Sequence, residues 1–419
     1  MRYKSFTTIL LGLILLSACG HDEGFGSPEY GNKDKKEADP DEMTSTVLFK
    51  NGEKIGEVTY ATFRIPSLVR TKDRVIALCE ARTVNADRGD IDIACRVSTD
   101  DGKTWGEKKM IFSDGIHTVG NPCCVYTASG RLVMVFNWHV STESVSADFP
   151  TGLGVTSKQK AAHGRRVFVT VSEDQGTTWD TPRDITDIVM EPNWSWNAAG
   201  PCHALQLRTG AHKGRIIVPC DLKMSNVTGR DRLASYVIYS DDDGVTWKKS
   251  DLLIFGNESC AAERSDGKIH LDMRNANSGY YQDGFSCRAW SLSSDGGETW
   301  DGYHYDLGRP EPTNGDGSTK GCQGSVINYD PDGAVTANML FSNPASATAR
   351  RDMTLRFSKN DGTNWTSSLL ITENPAGYSD LVVLKDGSVG LFYETGPTNY
   401  HQTITFARIP KRIITEHLK

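Results

Sequence analysis

The chain has 419 residues, 38% of them hydrophobic and 24% charged, with a formal net charge of −7. That composition is globular and excludes a disordered or collagen-like chain. Nor does any basic stripe offer a surface to nucleic acid.

At the N-terminus Arg2 and Lys4 precede an apolar run, Ile9 to Leu16, that ends in Leu16-Ser17-Ala18-Cys19. The run is too short to cross a bilayer as a helix, so a cleaved export signal is expected. The small residues before Cys19 resemble a bacterial lipoprotein signal. The resemblance implies a signal peptide over residues 1–19 that ends at a lipidated Cys19. It also implies an exported protein of the bacterial cell envelope, on the periplasmic face or the cell surface, touching membrane through that lipid anchor only. Residues 20–45 carry eight acids and three lysines among Gly and Pro, the composition of a flexible acidic tether.

From Thr46 the texture changes to short β-type runs between Gly, Asp and Asn turns, such as Arg74-Val75-Ile76-Ala77-Leu78 and Arg215-Ile216-Ile217-Val218. No long stretch has helical periodicity, so the class is all-β. One motif recurs: Ser, any, Asp, any, Gly, any, Thr, Trp. It begins at Ser98, Ser172, Ser240 and Ser293, and a worn copy from Ser358 has Asn360 for the acid and Asn364 for the threonine. The starts are 74, 68, 53 and 65 residues apart, a spacing that suits a four-stranded blade. The short acid can accept backbone N–H groups of a hairpin loop, and glycine supplies a positive φ. These acids are therefore read as structural, and no twelve-residue calcium loop ending in glutamate is present.

Five copies predict five blades, and Thr46 to Lys50 with Val389 to Ile409 would complete a sixth from the two chain ends. The expected architecture is a six-bladed β-propeller of four-stranded antiparallel blades over residues 46–415, with a C-terminal tail at 416–419. Nine cysteines follow Cys19, in no zinc spacing, and are expected to be small buried apolar residues.

The repeated turn resembles the Asp-box of sialidases, and Phe63-Arg64-Ile65-Pro66 ahead of the first copy resembles that family's Phe/Tyr-Arg-Ile-Pro motif. Together they make the chain similar to exo-α-sialidases from about Tyr60 to Glu394. The resemblance implies removal of terminal sialic acid from glycoproteins, glycolipids or other sialylated glycans by a monomer that needs no metal or organic cofactor.

The family holds the substrate carboxylate with three arginines, whose planar forks suit a carboxylate. Arg64 matches the first. Arg288, five residues before the fourth turn serine, matches the second, with Arg274 as a rival. Arg350 matches the third, with Arg351 adjacent. Tyr378 matches the family's nucleophile and Glu263 its partner base, with Tyr393 as the rival tyrosine. A carboxylate nucleophile would be repelled by the substrate's own carboxylate, whereas tyrosine is neutral until it reacts. Asp87 matches the general acid, with Asp90 and Asp92 nearby. Arg82 and Gln323 match supporting positions, and Trp194 and Trp196 suggest an aromatic rim. Hydrolysis, transfer of sialic acid to another acceptor, and an internal trans-reaction all remain open in the sequence. A binding-only propeller would lack one of the tyrosine, the base or the acid.

Overall fold

A computed structural model describes residues 42–141, 164–227, 230–275, 286–312 and 321–419. The signal peptide, Cys19 and the tether up to residue 41 lie outside the described residues. Within them, short runs of Val, Ile, Leu and Ala form strands such as Val75–Arg82, buried at every position. Strands covered on both faces read as continuous apolar runs. No helix among the described residues is long and apolar enough to cross a membrane.

The pairings fall into six consecutive antiparallel units. The first holds Thr62–Arg70, Val75–Arg82, Ile91–Ser98 and Lys109–Phe112. The second holds Thr118–Tyr126, Leu132–His139, Arg165–Ser172 and Arg183–Asp184. The third is built on Trp194–Ala199, Ile216–Val227, Arg230–Ser240 and Lys248–Lys249. The fourth holds Gly256–Glu263, Ile269–Asn275, Cys287–Ser293 and His304–Pro310. Ser325–Asn328, Met339–Pro344, Arg351–Ser358 and the start of the long strand Ser367–Val383 make the fifth. The end of that long strand opens the sixth, followed by Val389–Thr395 and Thr403–Ile409. The N-terminal strand Thr44–Lys50 completes it, with Thr46 opposite Phe406. The expected pairing of the two chain ends is thus present. Beyond the last strand, Lys411–His417 forms a short helix whose His417 ring stacks on Phe357 at 4.5 Å, where the sequence suggested the end of the propeller and a tail from residue 416.

The repeated turn joins the third and fourth strands of the first five units. In the first copy Ser98 Oγ accepts from Gly102 N at 2.8 Å, and Asp100 Oδ1 accepts from Thr104 N at 2.8 Å. Gly102 has φ +82°, and a Cβ there would lie 2.8 Å from the Phe406 ring of the sixth unit. The other turn glycines face the preceding unit in the same way: Gly176 meets Ile76, Gly244 meets Val133, Gly297 meets Ile217 and Gly362 meets His270. Apolar clusters follow the same rule. One joins Val135 of the second unit to Ile216 of the third, and another joins Phe392 and Phe406 of the sixth to Phe63 and Ala77 of the first. Each fully buried phenylalanine in such a cluster contributes roughly 1.5–3 kcal/mol.

The first strand of each unit lies innermost. The starts of five of these strands line one cavity of about 610 Å³, with Arg64, Asn121, Trp196, Glu258 and Tyr378. The far ends of four of these strands, with His203 to Gln206 of the third unit and Ile327 and Asn328 of the fifth, line a second cavity of about 230 Å³.

Candidate active site

The larger cavity is rich in ionisable groups: five arginines, Lys223, and the acids Glu80, Asp87, Asp221 and Glu258. Burial and the nearby Glu258 push Asp221 up to about 8, and burial beside Arg64 pulls His401 down to about 4. Both are therefore neutral at pH 7, and the cavity carries an excess of positive charge, the electrostatics of an anion site.

Tyr378 sits at its centre. Its strand carries a bulge between Ala376 and Ser379, so the tyrosine lies within the strand rather than in a loop before it. A Cβ on the preceding Gly377 would lie 2.4 Å from Glu394 Oε2, so only glycine lets the chain pass that carboxylate. The Tyr378 hydroxyl donates a hydrogen bond to Glu258 Oε1. Burial and the Glu258 charge push this phenol well above 10, while Arg274, Arg350 and Arg64 oppose that shift. Arg274 Nη1 lies 3.4 Å from the phenol oxygen, and Arg64 and Arg350 stand 5.0 and 5.5 Å from the ring centre.

Each arginine is held differently. Arg64 makes a two-pronged pair with the buried Glu394, at 2.9 and 3.1 Å. Glu394 also accepts from Ile65 N at 3.0 Å and Tyr378 N at 3.2 Å, which ties the two strands together. Arg274 donates to Glu258 Oε2 at 2.8 Å. Arg350 donates to Gly321 O at 3.1 Å, and its buried Nε has no partner among the described residues. That leaves Arg350 with unused donors in the cavity. Arg351 instead pairs with Asp352 at 3.0 Å and is half exposed, so Arg350 is the cavity arginine.

Asp87 stands on the loop between Val75–Arg82 and Ile91–Ser98, where Arg82 Nη1 donates to its Oδ1 at 2.9 Å. Partial desolvation by the surrounding protein favours its acid form, but Arg82, Arg64 and Arg165 hold it below the usual carboxylate range. The side chain is 78% exposed, so solvent screens this pull. Arg82 is fixed by Glu80 at 2.8 and 2.6 Å. Asp92, the rival acid, is buried and accepts from Tyr60 at 2.7 Å, and Asp90 does not line the cavity. Tyr393, the rival tyrosine, is buried within Val389–Thr395. Trp196 lines the cavity under Arg165 at 3.8 Å, whereas Trp194 belongs to an apolar core.

Three expectations are corrected. Glu263 does not reach Tyr378. It ends the strand Gly256–Glu263, five residues beyond Glu258 and about 16 Å further along at strand rise. There it accepts from Arg208 N at 2.9 Å and from Thr209 N and Oγ1 at 2.8 and 2.6 Å, beside the second cavity. Arg288 lies on the third strand of its unit, behind Arg274 on the second. It is fully buried and spends its donors on Asp272, Glu311 and Cys322 O. Gln323 is also buried, and its amide bonds Pro201 O at 2.8 Å, Ser379 O at 2.9 Å and Ser379 N at 2.9 Å, bracing the strand beneath Tyr378 without lining the cavity. Glu258 and Glu394 escaped sequence reasoning. The available signals were the Gly256-Asn257-Glu258 start of a strand and a lone acid ending the apolar run Leu391-Phe392-Tyr393.

The chain belongs to the family described as the BNR repeat-like domain, whose model matches residues 73–391. The relatives it matches are sialidases. It is 32% identical over 353 residues to a sialidase of Micromonospora viridifaciens, covering 81% of this chain and 51% of that one. The chain thus spans about half the length of that relative. It is 27% identical over 332 residues to an exo-alpha-sialidase of Aspergillus fumigatus, covering 77% of this chain and 71% of that one. Among solved structures, a Hadza microbial sialidase superposes with a TM-score of 0.70 at 26% identity, covering 85% of this chain and 67% of that one.

Proposed function

We propose that the chain is a retaining exo-α-sialidase that removes terminal sialic acid from glycans through a tyrosine nucleophile. The observation that carries this reading is the Tyr378 hydroxyl bonded to Glu258 beneath Arg64, Arg274 and Arg350. On this reading the six units form a closed six-bladed propeller, supported by the turn and core contacts between the sixth unit and the first. Export and a lipid anchor at Cys19 rest on the N-terminal sequence alone.

Arg350, with its unused donors, and the Arg64 and Arg274 forks take the substrate carboxylate. That anion, and the water it displaces, raise Asp87 from its lowered state, so that it enters the reaction protonated. Asp87 gives its proton to the glycosidic oxygen as the bond to the anomeric carbon breaks. Tyr378 oxygen bonds that carbon from the opposite face and passes its proton to Glu258. Asp87, now a carboxylate, takes a proton from water, whose oxygen displaces Tyr378. Glu258 returns the proton to the phenolate, and the sugar leaves with its configuration retained.

Proton NMR of sialyl-lactose cleavage tests the reading. The first free sugar should be the α-anomer, and Tyr378→Phe should fold normally and release none. A β-anomer as first product, or turnover by Tyr378→Phe, would sink it.

A further inference from the structure

Between the two cavities, the inner strands bring a second group of reactive side chains together. Cys202, His203 and Cys260 place one ligand atom each within 4.8 Å of one another. His203 Nε2 lies 3.9 Å from Cys260 Sγ. Both cysteines are buried and unbridged, and none of the three has a part in the chemistry above.

From this cluster we infer a binding site for a borderline-soft divalent metal of the zinc type, held by Cys202, Cys260 and His203. Four observations support it. The ligand set is sulfur and imidazole, which selects such ions over calcium or magnesium. The spacing fits, because bonds of about 2.3 Å to sulfur and about 2.0 Å to nitrogen put tetrahedral ligand atoms about 3.5–3.8 Å apart. The ring is oriented from behind: His203 Nδ1 meets Asp380 Oδ1 at 2.7 Å, leaving Nε2 turned to the thiols. A carboxylate behind the imidazole is the usual support of a metal-binding histidine.

Asp380 is itself fixed, accepting from Leu68 N at 2.7 Å and Ser325 Oγ at 2.8 Å. The fourth observation is charge and access. Two thiolates and a neutral ring balance a divalent ion, which removes the main penalty for burying it. His203 also lines the second cavity, which gives a hydrated ion a route in and leaves a fourth position for water. Cys202 and Cys260 stand 58 positions apart, so no sequence spacing could reveal the group. Without metal, Cys202 Sγ donates to His203 O at 3.2 Å and to Ser259 O at 3.5 Å, and Cys260 Sγ donates to Val326 O at 3.5 Å and accepts from Val326 N at 3.4 Å.

The test uses the full chain, purified reduced and metal-free, with Co²⁺ as the probe and Zn²⁺ as the competitor. About one Co²⁺ per chain should bind, with a sulfur-to-cobalt charge-transfer band and the visible bands of a tetrahedral ion, all lost on adding Zn²⁺. His203→Gln and Cys260→Ser should lose the charge-transfer band while keeping a cooperative melt, and Cys79→Ser, a buried cysteine elsewhere, should keep it. The site is overturned if the wild type gives no such band, or if the band survives unchanged in both variants. It is equally overturned if the reduced-state experiment has to start by breaking a Cys202–Cys260 disulfide found in the protein as isolated. Should the variants fail to fold, the wild type decides, since about one Zn²⁺ retained per chain through gel filtration supports the site and none refutes it.

Discussion

The choice between Glu258 and Glu263 as the group that activates Tyr378 can be decided by one matched pair of substitutions. Glu258→Gln keeps the shape and an oxygen acceptor for the tyrosine but removes the base. At pH 7 a phenol of pKa about 10 is ionised to only about one part in 10³. Burial and the Glu258 charge push Tyr378 higher still. The expected loss in kcat is therefore about 10³-fold or more, or about 4 kcal/mol, within the range of general-base effects. Glu263→Gln has a different consequence. Both Glu263 oxygens accept backbone N–H groups, from Arg208 and Thr209, and an amide would turn an N–H₂ towards one of them. That costs about 1–3 kcal/mol of stability and leaves kcat within about twofold. Steady-state kinetics on a fluorogenic sialoside, with a thermal melt of each full-length variant, separates the two outcomes. A Glu258→Gln enzyme working at half the wild-type rate would refute the assignment, as would a stable Glu263→Gln protein without activity.

Asp221 and Glu394 give two further tests, of opposite sign. Asp221 is raised to about 8, so between about pH 4 and 8 the folded chain keeps a proton that the unfolded chain loses. Stability should therefore fall as pH rises through that window, by up to roughly 5 kcal/mol, and Asp221→Asn should flatten the fall in urea titrations from pH 5 to 9. Parallel profiles would contradict this. Glu394 is lowered, because Arg64 and its hydrogen bonds outweigh a burial that would raise it. Its stabilisation is present at neutral pH and lost as pH falls below the ordinary glutamate range. Glu394→Ala should cost about 3–5 kcal/mol at pH 7 in urea unfolding, since it strands the buried Arg64, and should raise KM in the folded fraction.

The fold was legible because its signal is local. Ser98, Asp100, Gly102 and Thr104 close their turn within eight residues, so the sequence carries the whole motif and its repetition counts the units. The sixth unit followed from strand-like runs at the two ends, as Thr44–Lys50 beside Thr403–Ile409 bears out. The cavity was legible only in part. Arg64, Arg82, Asp87, Arg350 and Tyr378 all line it. Arg288 rests on its distance from a turn and Glu263 on a local resemblance, and neither says which strand of a unit, or which end of a strand, a residue occupies. Glu258 and Glu263 share one strand and serve different cavities.

What the sequence hides is register. In a regular inner strand, side chains alternate between the two apolar layers that join neighbouring units, and neither layer can take an unpaired charge. Arg64, Asn121, Trp196, Glu258 and Tyr378 reach the cavity at or beside breaks in the ladder, because a bulge re-aims a side chain, whereas Thr118 lines it from a paired position. Among the described residues, five inner strands break register at the cavity end: between Arg64 and Ser67, Gly120 and Cys123, Trp194 and Trp196, Gly256 and Ser259, and Ala376 and Ser379. Each break delivers or adjoins a cavity residue: Arg64, Asn121, Trp196, Glu258 and Tyr378. The break at Arg64 puts the β-branched Ile65 at φ +61°, a conformation that costs on the order of 1–3 kcal/mol. Glu394 offsets that strain, since the same carboxylate takes both the Ile65 N–H and the Arg64 guanidinium. The residue that aims the arginine thus lies 330 positions away in the chain. It acts by stabilising a strained backbone, so no spacing rule centred on the arginine could have found it.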